Sequence, residues 1–364
     1  MGGPRLRPEI ESLPAYKAGQ APIERTDITT FKISSNESPF EPPDRVREAI
    51  ERAARQVHRY PDPFSRRLVA ALAQRFDVAS DQIALGTGSV AVVGQLLWAA
   101  AGPGDSVVYP WRSFEAYPIW VQMTGARSVQ VPLLSNERHD LDAMSAAIDE
   151  TTRVIFVCNP NNPTGTLVRE AAVRELMDTI PEHVLVVFDE AYAELALGPM
   201  PDTLAYVRNA RPCIVLRTFS KAYGLAGLRL GYGVGPAPLV TALQKARQPF
   251  NTNRLAQEAA LAALDDEPFV NRSRQLFREA KKYLEQRCTA LGLDYEPTFA
   301  NFLLIRVGDG AAVAAELMRR GVIVRPMAGY GLPEHIRVSF GTMPENRRFI
   351  EALQAALDDK PADD

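Results

Sequence analysis

Cysteine is scarce in this chain. Three occur in 364 residues, at positions 158, 213 and 288. They lie far apart and two fall in apolar runs, which argues against a disulfide scaffold and for buried, reduced thiols. No apolar run reaches the roughly 18 residues that a membrane span requires, so no membrane partner is expected. Excess charge of one sign is also missing. The formal net charge is −3, which offers little to a nucleic-acid backbone. The opening residues, Met1-Gly2-Gly3-Pro4-Arg5, lack the apolar segment of a secretion signal. The cytoplasm is therefore the expected compartment. Repeats and low-complexity tracts are absent as well.

What is present reads as an ordinary globular protein. Hydrophobic residues make up 46% and charged residues 23%, and the length suffices for a large core and two domains. Apolar periodicity predicts helices over 44–57 and 64–76, and a nearly all-apolar, buried helix over 89–100. Short apolar strands are expected at 106–109, 127–131, 154–158, 184–188, 213–216 and 229–234, with helical segments between most of them. Such alternation indicates an α/β fold with a mostly parallel sheet covered on both faces. In these sheets the site lies beyond the carboxyl ends of the strands. After Pro236 the texture changes. Helices are expected at 238–246, 254–264 and 268–291, then strands at 302–307, 322–325 and 336–340 with helices at 311–320 and 345–357. This pattern suggests a smaller α+β domain joined by a long helix.

Several segments at strand ends carry chemistry. The run 218–231 places Lys221 among hydroxyls, glycines and Arg229, just after the apolar 213–216. A lysine crowded by a second cation is a candidate for a depressed pKa and for Schiff-base chemistry. The hydroxyls of Thr218 and Ser220, with Arg229, suit a phosphate. That pairing of lysine and anion cradle fits pyridoxal phosphate. The strand 184–188 runs into Asp189, and a carboxylate at a buried strand end needs a partner. A protonated pyridine nitrogen would serve; a helix cap or a metal ligand is the alternative. Asn162 sits in a turn rich in proline, 159–165, that would hold its amide at a strand end; a tight surface loop is the alternative. The glycines at 86 and 88 open a helix at Ser89 and Val90, where backbone amides could meet a phosphate. Small residues also open helices for packing reasons.

Together these segments resemble a known family. The stretches 159–165, 188–192 and 220–231 occur in order, with Asn162, Asp189 and Lys221 separated by 27 and 32 residues. This resembles the aspartate-aminotransferase-like superfamily of pyridoxal-phosphate enzymes, over nearly the whole chain. Asn36-Glu37-Ser38-Pro39-Phe40 and Arg59-Tyr60-Pro61-Asp62 are similar to the histidinol-phosphate aminotransferase branch. The stretch 111–118 is closer to the aromatic amino acid aminotransferases of that branch.

The resemblance implies a large domain, 36–250, with a seven-stranded, mostly parallel sheet between helices. A smaller α+β domain, 251–364, would be joined by part of an N-terminal arm, 1–35. It also implies roles. Lys221 would be the Schiff-base lysine and the proton shuttle. Asp189 would pair with the pyridinium nitrogen. Asn162 and Tyr192 would bond the ring oxygen, and Phe114 would stack on the ring. Ser89, Val90, Thr218, Ser220 and Arg229 would hold the phosphate. Tyr60 would reach it from a neighbouring subunit, which implies a homodimer with shared sites. Arg337 would clamp the substrate carboxylate; from its residues alone it reads as an exposed edge-strand arginine. Tyr16 and Arg325 lie where family members contact substrate.

The implied activity is transamination from an aromatic amino acid, phenylalanine or tyrosine, to 2-oxoglutarate, with no metal. Histidinol phosphate is the alternative donor, and a phosphothreonine-type decarboxylase is a further relative. A transcription regulator would need a DNA-binding module ahead of Asn36, and no helix-turn-helix pattern supplies one.

Overall fold

Apolar runs flanked by glycine, proline and polar residues become strands here because both of their faces find a helical cover. The computed structural model describes residues 5–13 and 28–358; Tyr16 lies outside them. The chain opens with α1 (Pro8–Glu11) and the two-residue β1 (Phe31–Lys32). Helices α2 (Asp44–Ala54) and α3 (Arg66–Phe76) follow, then β2 (Ile83–Gly86), α4 (Ser89–Ala100), β3 (Ser106–Trp111), α5 (Ala116–Thr124) and β4 (Arg127–Pro132). Next come α6 (Leu141–Ala146), β5 (Thr152–Cys158), α7 (Glu170–Thr179), β6 (Leu185–Asp189), α8 (Thr203–Arg208), β7 (Cys213–Thr218) and β8 (Gly231–Val234). Helices α9 (Ala237–Ala246), α10 (Arg254–Leu264) and α11 (Glu267–Ala290) precede the last elements. These are β9 (Phe302–Arg306), α12 (Gly310–Arg319), β10 (Val322–Ile323), β11 (Arg325–Pro326), β12 (His335–Ser339) and α13 (Met343–Asp358).

Seven strands form one sheet in the order β2-β8-β7-β6-β5-β3-β4. Only β8 runs against the others; the remaining neighbours pair in parallel. The fold is thus α/β with a mostly parallel seven-stranded sheet. Strand β5 shows why both faces are dry. Val154, Phe156 and Cys158 pack with α4 residues such as Val92 and Leu96, while Ile155 and Val157 pack with α7 residues such as Val173 and Leu176. The period of two sends alternate side chains to opposite helical layers. Helix α4 is apolar all round and is buried over Val92–Leu97, as such a helix must be.

A second, antiparallel sheet has the order β11-β12-β9. Strand β1 pairs in parallel with β10, joining Phe31 to Val322. That pair is a third, two-stranded sheet, and the residues after it, Ser35 and Asn36, hydrogen-bond to Lys221 and Tyr192 on one side and to Ser339 of β12 on the other. Cys158, Cys213 and Cys288 are buried free thiols. No helix among the described residues is long and apolar enough to cross a membrane.

Some boundaries differ from the periodicity. Helix α2 stops at Ala54 and not at 57. Helix α3 starts at Arg66 because Ser65 adopts a left-handed backbone (φ 49°). Strand β8 starts at Gly231, since Arg229 is left-handed too (φ 57°) and turns the chain before the strand. The run 322–325 divides into β10 and β11, which belong to different sheets.

Candidate active site

The six co-directional strands deliver their following loops to one edge of the sheet, and the candidate residues gather there. They line a cavity of about 790 Å³ that also takes in Arg325 and Arg337 from the second sheet, a size in the usual range for a small-molecule site. Ser89, Val90, Phe114, Asn162, Asp189, Tyr192, Thr218, Ser220, Lys221, Arg229, Arg325 and Arg337 all line it. Tyr60 does not. It is 77% exposed and stacks on Phe250 with ring centroids 4.4 Å apart.

Asp189 ends β6, fully enclosed. Tyr117, on α5, donates a 2.8 Å hydrogen bond to its Oδ2. Its Oδ1 is buried with no hydrogen-bond partner of acceptable geometry. Burial pushes the carboxyl up to about 6, against the pull of Tyr117 and the Ala191 amide. A carboxylate so placed fits a cationic N–H. Among the described residues no cluster of three or more His, Cys, Asp or Glu could hold a metal.

Lys221 follows β7. Its Nζ donates to the Ser35 carbonyl at 2.9 Å and lies 5.8 Å from the centre of the Tyr192 ring. Burial first, then Arg337, lowers its pKa to about 7; Arg229 and Lys32 add to this and Glu37 opposes it. A lysine near neutrality at working pH can act as nucleophile and as proton carrier.

The anion cradle is built by close backbone approach. Gly88 has φ 84°, and a Cβ there would sit 2.7 Å from Arg229 Nη2. A Cβ on Gly231 would sit 2.1 Å from the Ser89 nitrogen. Only glycine lets β8 and Arg229 lie against the start of α4. Thr218 Oγ1 donates to Ser220 Oγ at 3.0 Å, and Arg229 Nη1 lies 3.5 Å from the same Oγ. Helix N-terminus, two hydroxyls and a guanidinium make a donor set for a phosphate.

Arg337 is not an exposed edge residue. It lies on β12, the middle strand of its sheet, and is 6% exposed. Its Nη1 bonds Asn162 Oδ1 and its Nη2 donates to the Ser34 carbonyl at 3.1 Å. Its Nε is buried without a partner, so the guanidinium has capacity for an anion. With its oxygen taken by Arg337, Asn162 offers a ligand its NH₂. Tyr192 accepts a 3.0 Å bond from Asn36 Nδ2. Burial, the main cause, raises its phenol above the usual range, so its O–H stays protonated and can donate. Arg325 meets Glu115, with Nη2 at 3.1 Å from both carboxylate oxygens.

Sequence reasoning left several site residues without a role. Tyr117 and Glu115 lie inside the 111–118 stretch, yet neither was tied to a partner. Asn36 is held in the left-handed region (φ 55°), where asparagine is tolerated. Its amide accepts a 2.8 Å bond from Ser339 Oγ. A hydroxyl-bearing tyrosine in the mostly apolar α5 was the available signal for Tyr117. Ile119, Trp120, Met123 and Tyr330 also line the cavity; their pattern is indistinguishable from core packing in sequence.

Known proteins resemble this chain along nearly its whole length. Residues 28–353 match the family model for aminotransferase class I and II. A histidinol-phosphate aminotransferase from Akkermansia muciniphila is 48% identical over 96% of this chain and 97% of its own. An aromatic amino acid aminotransferase from Streptomyces coelicolor is 46% identical, with 96% and 97% covered. Among solved structures, histidinol-phosphate aminotransferase from Sinorhizobium meliloti in complex with pyridoxal-5'-phosphate superposes with TM-score 0.88. It is 29% identical, with 98% of each chain covered.

Proposed function

The chain belongs to the class I and II aminotransferases, and as a pyridoxal-phosphate-dependent transaminase we propose that it moves the amino group of an aromatic amino acid, phenylalanine or tyrosine, to 2-oxoglutarate. The observation that carries the donor assignment is the apolar part of the cavity lining. Phe114, Ile119, Trp120, Met123 and Tyr330 line the cavity together. Trp120 lies flat against Gly94 of α4, where a Cβ would come within 2.6 Å of its ring. An apolar, aromatic-rich wall favours a ring-bearing side chain. A second reading, histidinol phosphate as donor, is supported by the Akkermansia relative's name and by Arg325 in the cavity. Comparing kcat/KM for phenylalanine, tyrosine, histidinol phosphate and phosphothreonine, each with 2-oxoglutarate, tests the assignment. A preference for histidinol phosphate would replace it; turnover of phosphothreonine with release of CO₂ would point to decarboxylation.

In this reading each residue has a task. When bound, pyridoxal phosphate supplies an electron sink that acidifies the donor Cα–H. Lys221 is the residue that would attach the group, and its Nζ would take the proton from the donor Cα and carry it off that carbon. Asp189 would hold the ring nitrogen while Tyr117 steadies its Oδ2. Asn162 and Tyr192 would donate to the ring oxygen, and Phe114 would stack on the ring. Thr218, Ser220, Arg229, Ser89 and the Val90 amide hold the phosphate. Arg337 would bind the donor carboxylate.

We further infer a homodimer in which Tyr60 serves the partner's site. Its exposed stack on Phe250 and its position outside the cavity of its own chain support this. The division into an arm at 1–35, a cofactor domain at 36–250 and a small domain at 251–364 belongs to the same reading, as does a cytoplasmic location.

A further inference from the structure

We infer that Glu115 sets the charge selectivity of the donor pocket: seated on Arg325, its carboxylate turns away donors that bring a phosphate. The inference rests on the aromatic-donor reading above.

It starts from the register of two strands. Arg325 on β11 and Arg337 on β12 are directly opposed partners across an antiparallel pair. Two like charges opposite one another repel, and together they would make a strongly cationic wall. Both line the cavity. Arg337 is bonded to Asn162 and Ser34. Arg325 is met by Glu115, with both carboxylate oxygens 3.1 Å from one Nη2. The two side chains are 13% and 19% exposed, so solvent screens the pair little.

The placement of Glu115 gives it reach over the donor. It is the N-cap residue of α5, directly after Phe114 and one turn before Ile119 and Trp120. Its carboxylate therefore borders the same apolar wall that would receive the donor side chain. A donor whose only anion is its α-carboxylate engages Arg337 and leaves the Arg325–Glu115 pair intact. A donor that brings a phosphate, as histidinol phosphate does in place of the α-carboxylate, reaches from Arg337 toward the opposed Arg325 with a larger and more highly charged group, and it has two courses. It can approach Glu115, charge against charge, or displace it and leave that carboxylate without its cation in a poorly hydrated site. Both are costly. Specificity then comes from a repulsive element as much as from the apolar wall.

The holoenzyme, wild type and Glu115→Gln, tests this. The measurements are kcat and KM for phenylalanine and for histidinol phosphate, KM for 2-oxoglutarate, and the inhibition constant of inorganic phosphate against phenylalanine. The ratio of kcat/KM for histidinol phosphate to that for phenylalanine should rise about tenfold or more, through KM. The phosphate inhibition constant should fall by a similar factor. The singly charged distal carboxylate of 2-oxoglutarate should gain less than the phosphate does. Glu115→Asp, which keeps the charge, should hold the ratio near that of the wild type. If all substrates shift together, Glu115 is only a structural staple and the inference fails; it fails equally if phosphate binding does not change. Glu115→Ala must reproduce the shift should the glutamine variant fold poorly, and its failure to do so also overturns the idea. A wild-type preference for histidinol phosphate would refute the aromatic-donor reading on its own. The change of ratio on losing Glu115 is read separately from that preference.

Discussion

Tyr117 Oη donates a 2.8 Å hydrogen bond to Asp189 Oδ2, and both side chains are buried. The phenol is itself fixed by stacking on Phe156, with ring centroids 4.4 Å apart. One carboxylate oxygen is thus held by a neutral donor and the other, Oδ1, has no hydrogen-bond partner of acceptable geometry. Removing the hydroxyl in Tyr117→Phe should keep the stack and loosen the carboxylate. The expected loss is about tenfold in kcat/KM, as for one hydrogen bond to a charged group. An unchanged value would show that Tyr117 only fills space.

Asp189 makes a prediction about pH. Its carboxyl is raised from 3.8 to about 6, mainly by burial. Between those values the folded chain binds more protons than the unfolded one, so stability of the cofactor-free protein should fall as pH rises from about 4 to about 6. Asp189→Asn should flatten that slope, raise Tm of the cofactor-free protein at pH 7 and weaken cofactor retention about 100-fold. Thermal melts from pH 4 to 7, with and without pyridoxal phosphate, check each part. A slope that survives the substitution would remove Asp189 as its source.

Lys221 acts in the opposite sense. Its pKa drops from 10.5 to about 7, first through burial. The unfolded chain binds more protons between those values, so its contribution to stability rises with pH from about 7 to about 10.5. Lys221→Ala should lose that rise and about 10⁴-fold or more of turnover. Borohydride treatment of the holoenzyme followed by peptide mass spectrometry should label the 218–231 peptide in the wild type alone. Label elsewhere would reassign the lysine.

The cradle predicts a steric effect. Gly231→Ala would place its Cβ 2.1 Å from the Ser89 nitrogen and 2.5 Å from the Gly88 carbonyl carbon. These are backbone atoms that cannot swing away. A loss of about 2–3 kcal/mol is expected in urea unfolding, with weaker phosphate-end binding of the cofactor. Gly102→Ala, with nothing within 4 Å, is the neutral control. Equal effects from both would discredit the cradle geometry.

Tyr60 tests the shared site. Tyr60→Phe keeps the stack on Phe250 but loses the hydroxyl, and should cut cofactor retention about tenfold with an unaltered mass in light scattering. A monomeric wild-type protein, or retention equal to that of the wild type, would count against a dimer with shared sites.

Much of this was legible in the residues. The strands at 154–158, 184–188 and 213–216 reappear within a residue or two, because continuous apolar runs need burial on both faces. Boundaries slipped where a single residue turns left-handed, as at Ser65 and Arg229, since periodicity does not record one backbone torsion. The antiparallel sense of β8 was likewise invisible, because an apolar run of four has no direction.

Taken alone, the sequence determined the local chemistry: Lys221 after one strand, Asp189 ending another, Asn162 in a turn, glycines before a helix. Those follow from composition and order, which short-range rules read well. The tertiary structure decided which distant groups meet. Tyr117 reaches Asp189 across 72 positions, Asn36 reaches Tyr192 across 156, and Glu115 reaches Arg325 across 210. Hydrogen bonds and ion pairs act over about 3 Å, a distance that only the packing of two sheets and their helices can set. The opposition of Arg325 to Arg337, and so the charge of the donor pocket, exists only once those strands are in register.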